Sequence, residues 1–314
     1  MRDAAGSETV NQLGTTSDRW VCLMYHEVAL GAPTRSDEAA YFGVGRDSLG
    51  GQLDVIRNAG FRGCSIERAR AICGTRRVAI SFDDGYAGQF EHAFPALQER
   101  GMTATFFVTT SWIGTPGFLT WNQLREMNNA GMSIQSHTHT HPFLSELTMS
   151  RLLVELETSK EILDAQLGQQ TDCIALPGGD APKLRLQHLI GDCGYALVAT
   201  SRWGVNESRQ VAPATPWIAR CTVRGAPSKA LFMQILTADL WLTFRRRMRG
   251  GVLRTIRSSL GPSRYALWRR RLLQRGDTQL LTSHLDFGRL RREGTSTASG
   301  WDTERTCDDG TKAQ

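Results

Sequence analysis

Long apolar runs are missing from this 314-residue sequence. No window comes near the roughly 18 uninterrupted apolar residues of a membrane-spanning helix, so none is expected. Proline is sparse, at 10 residues against 31 glycines. With 40% apolar and 22% charged residues, the composition excludes collagen-like, low-complexity and wholly disordered chains. Paired cysteines are missing too. Cys22, Cys64, Cys73, Cys173, Cys193, Cys221 and Cys307 are odd in number, none stands in a C-x-x-C spacing, and most fall in apolar runs such as VCLMY and CIAL. Reduced, mostly buried thiols are expected, not a disulfide framework or a cysteine zinc site. The opening MRDAAGSETVNQLGTTSDRW has no apolar stretch of a secretory signal's length, so the expected location is the cytoplasm.

What is present is a regular alternation. VCLMYHEV (21–28), RVAISFDDG (77–85), TATFFVTT, MSIQS, CIAL and YALVAT read as strands, most of them apolar on both faces. Helical patterns separate them: LGGQLDVIRNAG, with Leu49, Leu53 and Ile56 on one side; a short helix capped by Ser65; YAGQFEHAFPALQERG; WNQLREMNNAG; 148–167; and KLRLQHLIGDCG. Two-sided apolar strands joined by helices imply an α/β fold, a parallel sheet or barrel with helices outside. Chemistry in such folds sits at the carboxyl ends of the strands. His26 with Glu27, Asp83 with Asp84, His137 to His141, and Gly178 to Asp180 each follow a strand. A flexible segment (1–19), a catalytic barrel (20–226), a basic helical extension (227–290) and a disordered tail (291–314) are the expected units.

Asp83 and Asp84 are adjacent, and neighbouring strand residues point to opposite faces, so both can reach one cavity only if the chain turns, as Gly85 permits. The same DDG is also a common turn sequence. Ser136-His137-Thr138-His139-Thr140-His141-Pro142 is more specific, holding three of the seven histidines. Imidazole is the usual zinc ligand, and an open catalytic site needs about three protein ligands. His137 and His141 can share one side of a turn while His139 faces elsewhere, and a carboxylate from the first cluster completes the set.

SFDDG followed by SHTHTHP, with LMYHEV, TATFFV, LTWNQLREM and a PGG turn in order, resembles the NodB-type polysaccharide deacetylases, carbohydrate esterase family four. The resemblance covers about residues 20 to 206. It implies a distorted (β/α) barrel that removes the N-acetyl group from an amino sugar, in a polysaccharide such as an exopolysaccharide or cell-wall glycan, or in a lipid-linked or smaller precursor. Asp84, His137 and His141 resemble the ligands of one divalent ion, zinc by ligand type with other transition metals as alternatives, and Asp83 the general base. Pro177-Gly178-Gly179 stands where a backbone N–H would meet the oxyanion, so Gly178 and Gly179 are the expected oxyanion residues. The third motif departs from the family at Ala175, where an arginine that orients the base is usual, and at Gly178 in place of an aromatic. His26 in YHEV resembles the general acid of permuted members, and His284 in LLTSHLD is the weaker candidate. The alternatives are a catalytically silent sugar-binding relative, motivated by that missing arginine, and a hydrolase of another linear or cyclic amide.

Trp121 or Trp112 could stack on a sugar ring or pack in the core, and Trp203 could line the pocket. Residues 229–276 hold 12 basic residues against one acid, a net charge of +11. LFMQILTADLWLTFRRRMRGG and YALWRRRLLQRG read there as amphipathic helices. A helical cap over the barrel is expected, with Leu231, Ile235, Leu240 and Leu242 inward. Trp241, Phe244 and Trp268 beside arginine runs also fit a peripheral contact with an anionic inner-membrane face. No nucleic-acid partner is expected.

Overall fold

The computed structural model describes residues 18–29, 42–179, 184–208 and 216–261, with 263–265, 267–268 and 271. Residues 1–17, the 291–314 tail, His284, Cys307, Asp180 and most of YALWRRRLLQRG lie outside them.

Ten strands form one sheet among the described residues. The main path runs from β10 (Asn206–Glu207) through β1 (Arg19–Tyr25), β5 (Arg77–Phe82), β6 (Thr105–Val108), β7 (Ser133–Ser136), β8 (Cys173–Ala175) and β9 (Leu197–Ala199) to β11 (Trp217–Ile218). β4 (Arg62–Cys64) adds to β5, and β12 (Cys221–Thr222) adds to β1. Every pairing is parallel except that of β10 with β1. β11 pairs with β9 and β12 with β1, yet only Ala219 and Arg220 lie between them. The chain therefore switches from one end of the sheet to the other within two residues, and the barrel is nearly closed across that seam. Asn206 ties it, its side-chain amide donating to Ala219 O (2.9 Å) and accepting from Ala219 N (2.8 Å). A separate two-stranded sheet joins β2 (Val28–Ala29) to β3 (Val44–Gly45).

Two-sided apolar strands are what such a barrel needs, because one face meets the helices and the other the interior. Val21, Leu23, Val78, Ile80, Phe82, Phe106 and Ile134 face the helical layer. There they meet Leu49, Leu53 and Ile56 of α1 (Arg46–Asn58), the apolar side read from the sequence. Leu53 is wholly buried, and a Leu→Ala change at such a site costs about 2–5 kcal/mol. The opposite parity, Cys22, Ala79, Phe107, Cys173, Ala175 and Ala199, fills the interior with mostly small side chains. That leaves room inside for large polar groups. The cysteines are free thiols among the described residues, and burial pushes Cys22 and Cys221 up to about 12, so they stay protonated and inert.

Ser65 caps α2 (Ile66–Ala71), and a Thr120/Gln123 capping box starts α4 (Trp121–Asn129). The expected helix over YAGQFEHAFPALQERG is a wide turn, Gln89–Ala93, leading into α3 (Phe94–Gln98). Pro95 has no N–H for the carbonyl of Glu91, and a wide turn spares the clash of its ring. α5 (Met149–Leu167) ends at Gly168 with φ 63°, and α6 is Leu184–Asp192. The expected continuous helix LFMQILTADLWLTFRRRMRGG is broken. α7 (Lys229–Leu236) stops before Ala238, at φ 55°, and α8 (Leu240–Leu260) restarts with the Asp239 carboxylate accepting from Leu242 N (2.7 Å). The restart rotates Leu240 outward. It is 76% exposed, against the inward position expected of it, whereas Ile235 is buried and Leu242 packs on the core.

Candidate active site at the carboxyl ends of the strands

Asp83 extends β5 by one residue, its N–H donating to Tyr25 O (3.0 Å). The chain then leaves the strand through two left-handed residues, Asp84 (φ 75°) and Gly85 (φ 80°). This turn breaks the alternation of strand faces, so both adjacent carboxylates come within the influence of His26 and His137. A side chain at Gly85 would need that strained φ and would meet Val108 Cγ1 at 3.2 Å.

The two carboxylates have different partners. Asp83 is gripped by Arg220, whose Nη1 and Nη2 donate to Oδ1 (2.5 Å) and Oδ2 (2.8 Å). Arg220 also donates from Nε to Thr200 O (3.0 Å), and its guanidinium lies 5.2 Å from the centre of the Phe107 ring. It is wholly buried, inside the barrel at the seam. Burial pushes the Asp83 carboxyl up, but the facing guanidinium, together with His137 and His26, brings it below the usual range; the same pairing raises Arg220.

Asp84 instead faces histidines. Its Oδ1 lies 3.3 Å from both His137 Nε2 and His141 Nε2, and the three ligand atoms fall within 4.8 Å of one another. Burial opposes the Asp84 charge, yet the hydrogen bonds from His137 and His141 hold it well below the ordinary value. Burial likewise opposes charge on His137, and Asp84 reverses the balance, raising it. His137 Nδ1 sits 2.9 Å from Ala175 O, which can only accept, so that nitrogen carries a proton, and Nε2 is the atom directed at Asp84.

The histidine loop is held from behind. Glu155 of α5 accepts from His139 N (2.9 Å), Thr140 N (2.8 Å) and Thr140 Oγ1 (2.5 Å). His139 turns away from the trio to Thr110 Oγ1 (2.8 Å), as the alternation in SHTHTHP implies. Thr138 (φ 69°) and His141 (φ 62°) are left-handed, which places strained backbone at the site.

His26, at the end of β1, is half-buried and stacks on Phe42 (centroids 4.6 Å apart, 20° between planes). Burial pushes its pKa down, against the attraction of Asp84 and Asp83. Its Nδ1 is buried without a hydrogen-bond partner among the described residues. Gln89 Nε2 donates to both His26 O (3.1 Å) and Asp83 O (2.5 Å), tying the two strand ends together.

Gly178 (φ 60°) and Gly179 (φ 64°) form the turn after β8. A Cβ on Gly178 would sit 2.3 Å from Phe143 Cε1, so the turn packs against the histidine loop only as glycine. Trp203, beneath Arg246 at 5.1 Å, lines a cavity of about 380 Å³ with Thr200 and Ser201, and Ser201 adjoins Gly179. Trp121 is not brought to the site: it starts the capped first turn of α4 and packs on the main core. Trp112 is the indole beside the trio, 5.0 Å from the His141 ring. Sequence reasoning missed Arg220. The one signal was a charge inside the apolar run WIARCTV.

Known proteins resemble this chain in sequence and in fold. Residues 73–198 match the profile of the polysaccharide deacetylase family. The Bacillus subtilis protein YxkH, named as a polysaccharide deacetylase, is 31% identical over 163 residues, 50% of this chain and 56% of YxkH. The poly-β-1,6-N-acetyl-D-glucosamine N-deacetylase of Escherichia coli is 27% identical over 144 residues, 38% of this chain and 20% of that protein. The chain thus spans about half or less of these relatives' lengths. Among solved structures, the Streptococcus pyogenes deacetylase PplD, in complex with acetate, superposes with a TM-score of 0.63 at 26% identity, covering 69% of this chain and 98% of PplD. A polysaccharide deacetylase from Bacillus cereus has the same fold, with a TM-score of 0.62 at 22% identity and 69% of each chain covered.

Proposed function

We propose, from the premise that this chain belongs to the polysaccharide deacetylase family, that it hydrolyses the N-acetyl group of an amino sugar within a saccharide. The observation that carries the reading is the division between neighbouring carboxylates: Asp83 clamped by Arg220, Asp84 facing two histidines. Asp84, His137 and His141 fit a divalent ion, zinc by ligand type, because one oxygen and two imidazole nitrogens converge and Ala175 O fixes the His137 tautomer. Such an ion supplies Lewis acidity toward the amide carbonyl and the attacking water.

The chain's own residues supply the rest. Asp83 accepts the proton of the water whose oxygen adds to the carbonyl carbon, and Arg220 fixes the direction of that carboxylate. His26 gives a proton to the nitrogen as the C–N bond breaks, so acetate and a free amine leave. Burial weakens its hold on that proton. The N–H groups of Gly178 and Gly179 are the backbone donors for the developing oxyanion. Trp112 and Trp203 offer flat apolar faces for the sugar, Trp112 beside His141 and Trp203 in the adjoining cavity. Arg220 favours catalysis over a silent sugar-binding relative, since it does for Asp83 what the family's arginine, absent at Ala175, would do.

Acetate release from N-acetylglucosamine oligomers tests the reading. Release should stop with chelator and return with zinc, and His137→Ala or His141→Ala should abolish metal retention. A zinc-loaded protein that frees no acetate from any N-acetylated saccharide would overturn it.

A further inference from the structure

α8 contains six arginines and no acid, and the five whose side chains are described stand in two settings. Two face the barrel. Arg246 lies over the Trp203 ring, while Arg257 lies over Phe143 at 5.1 Å and donates from Nη1 to Gly178 O (2.8 Å). Together with Leu242, packed on the core, they fix the helix along the rim of the active-site mouth. The opposite face is apolar and open. Trp241, Phe244, Met248 and Val252 recur at three- and four-residue spacing, which places them on one side of a helix, and they are 66%, 54%, 53% and 54% exposed. Leu240 extends the stripe at its start, and the Trp241 and Phe244 rings stack at 6.0 Å. Arg247, exposed, borders the stripe on one side; Arg245 and Arg249, half-buried, border it on the other.

We propose that α8 is a membrane-docking helix, its apolar stripe entering the surface of an anionic bilayer and its bordering arginines meeting the lipid headgroups. A stripe this large is unusual on a surface that faces only water. The arginines select the occupant. A second copy related by a two-fold axis would bring the basic borders of two identical helices together, whereas an anionic surface complements them. Nucleic acid would match the charge but not the apolar centre. α8 is not apolar enough to cross a membrane and is suited to lie in its plane. Docked this way, the mouth beside Gly178 and Trp203 lies next to the lipid, where a membrane-held saccharide would enter. The docking itself does not depend on the deacetylase reading.

Co-sedimentation of the full chain with phosphatidylglycerol–phosphatidylcholine vesicles, against pure phosphatidylcholine vesicles, tests it. The wild-type chain should pellet with the anionic vesicles only, and less at high salt. Trp241→Ser with Phe244→Ser should lower partitioning by about tenfold or more. Arg247→Gln should lower it about fivefold, the equivalent of the roughly 1 kcal/mol a basic side chain gains near an anionic surface. Both variants should keep the wild-type circular dichroism and melting curve. The proposal is overturned if the wild-type chain stays in the supernatant at low salt, or if the aromatic double variant pellets equally. A wild-type dimer by light scattering that this variant turns into a monomer, with no vesicle binding by either, would also overturn it and assign the stripe to a second copy.

Discussion

Arg220 and Arg247 belong to the same residue type and stand 27 positions apart, yet their surroundings give them opposite tasks. Arg220 is wholly buried against one carboxylate, one carbonyl, the Ser81 hydroxyl and one aromatic ring. Arg247 is exposed on a helix face, at the edge of the cavity that Trp203 lines. Burial turns a charge into a positioning device whose loss is severe, because the partner left behind has no water to turn to. Exposure makes a charge individually weak and useful only in sum.

The sharpest way to break this contrast is at the carboxylate. Asp83→Asn should lower turnover about 10² to 10⁴-fold, as removal of a general base does, with the metal retained. It should also destabilise the protein, because Arg220 keeps its buried charge. Loss of metal with activity would mean that the two carboxylates have exchanged roles. His26→Ala should lower turnover over a comparable range and flatten the alkaline limb of the pH–rate profile, where a general acid is lost as pH rises through its pKa. A fully active variant would leave His26 a structural residue stacked on Phe42.

Next in size is the clamp. Arg220→Met should cost about 3–5 kcal/mol in denaturant unfolding, the expected effect of leaving one member of a buried pair alone. Combining it with Asp83→Leu should recover most of that loss without restoring any activity. Because Arg220, with His137 and His26, brings Asp83 below its unfolded value, near 3.9, the resulting contribution is present above that pH and lost as pH falls through the folded value. The acid limb of stability should therefore be shallower in Arg220→Met. Smallest of all, Arg247→Gln should shift unfolding by no more than about 0.5 kcal/mol, as surface changes usually do.

The six central strands and the convergence of Asp84, His137 and His141 were legible because two-sided apolar runs and clustered histidines are local signals. The common surroundings of Asp83 and Asp84 were legible only as a condition, that the chain turn at Gly85, and the left-handed Asp84 meets it. Arg220 was not legible, since it reaches Asp83 across 137 residues through closure of the barrel, which no local period encodes. Trp121 and Trp112 looked alike in the sequence; a capped helix start put one on the core, and the loop after β6 put the other beside His141. Leu240 was misplaced because the periodicity was carried across Ala238, where a left-handed residue restarts the helix at a new angle.

The seam between β11 and β12 also decides how far the protein can be trimmed. Residues 73–198 include Asp83, Asp84, His137, His141 and the PGG turn, yet His26 lies before that stretch and Arg220 after it. A fragment cut to those limits would keep the Asp84, His137 and His141 cluster and Asp83, but lose both His26 and the Arg220 guanidinium that grips Asp83. Its ends would also be unlatched, because β1 and β12 leave with them. The smallest self-closing unit within this chain therefore reaches from β1 past Thr222, and under the proposed function any activity is tied to the joint that shuts the barrel.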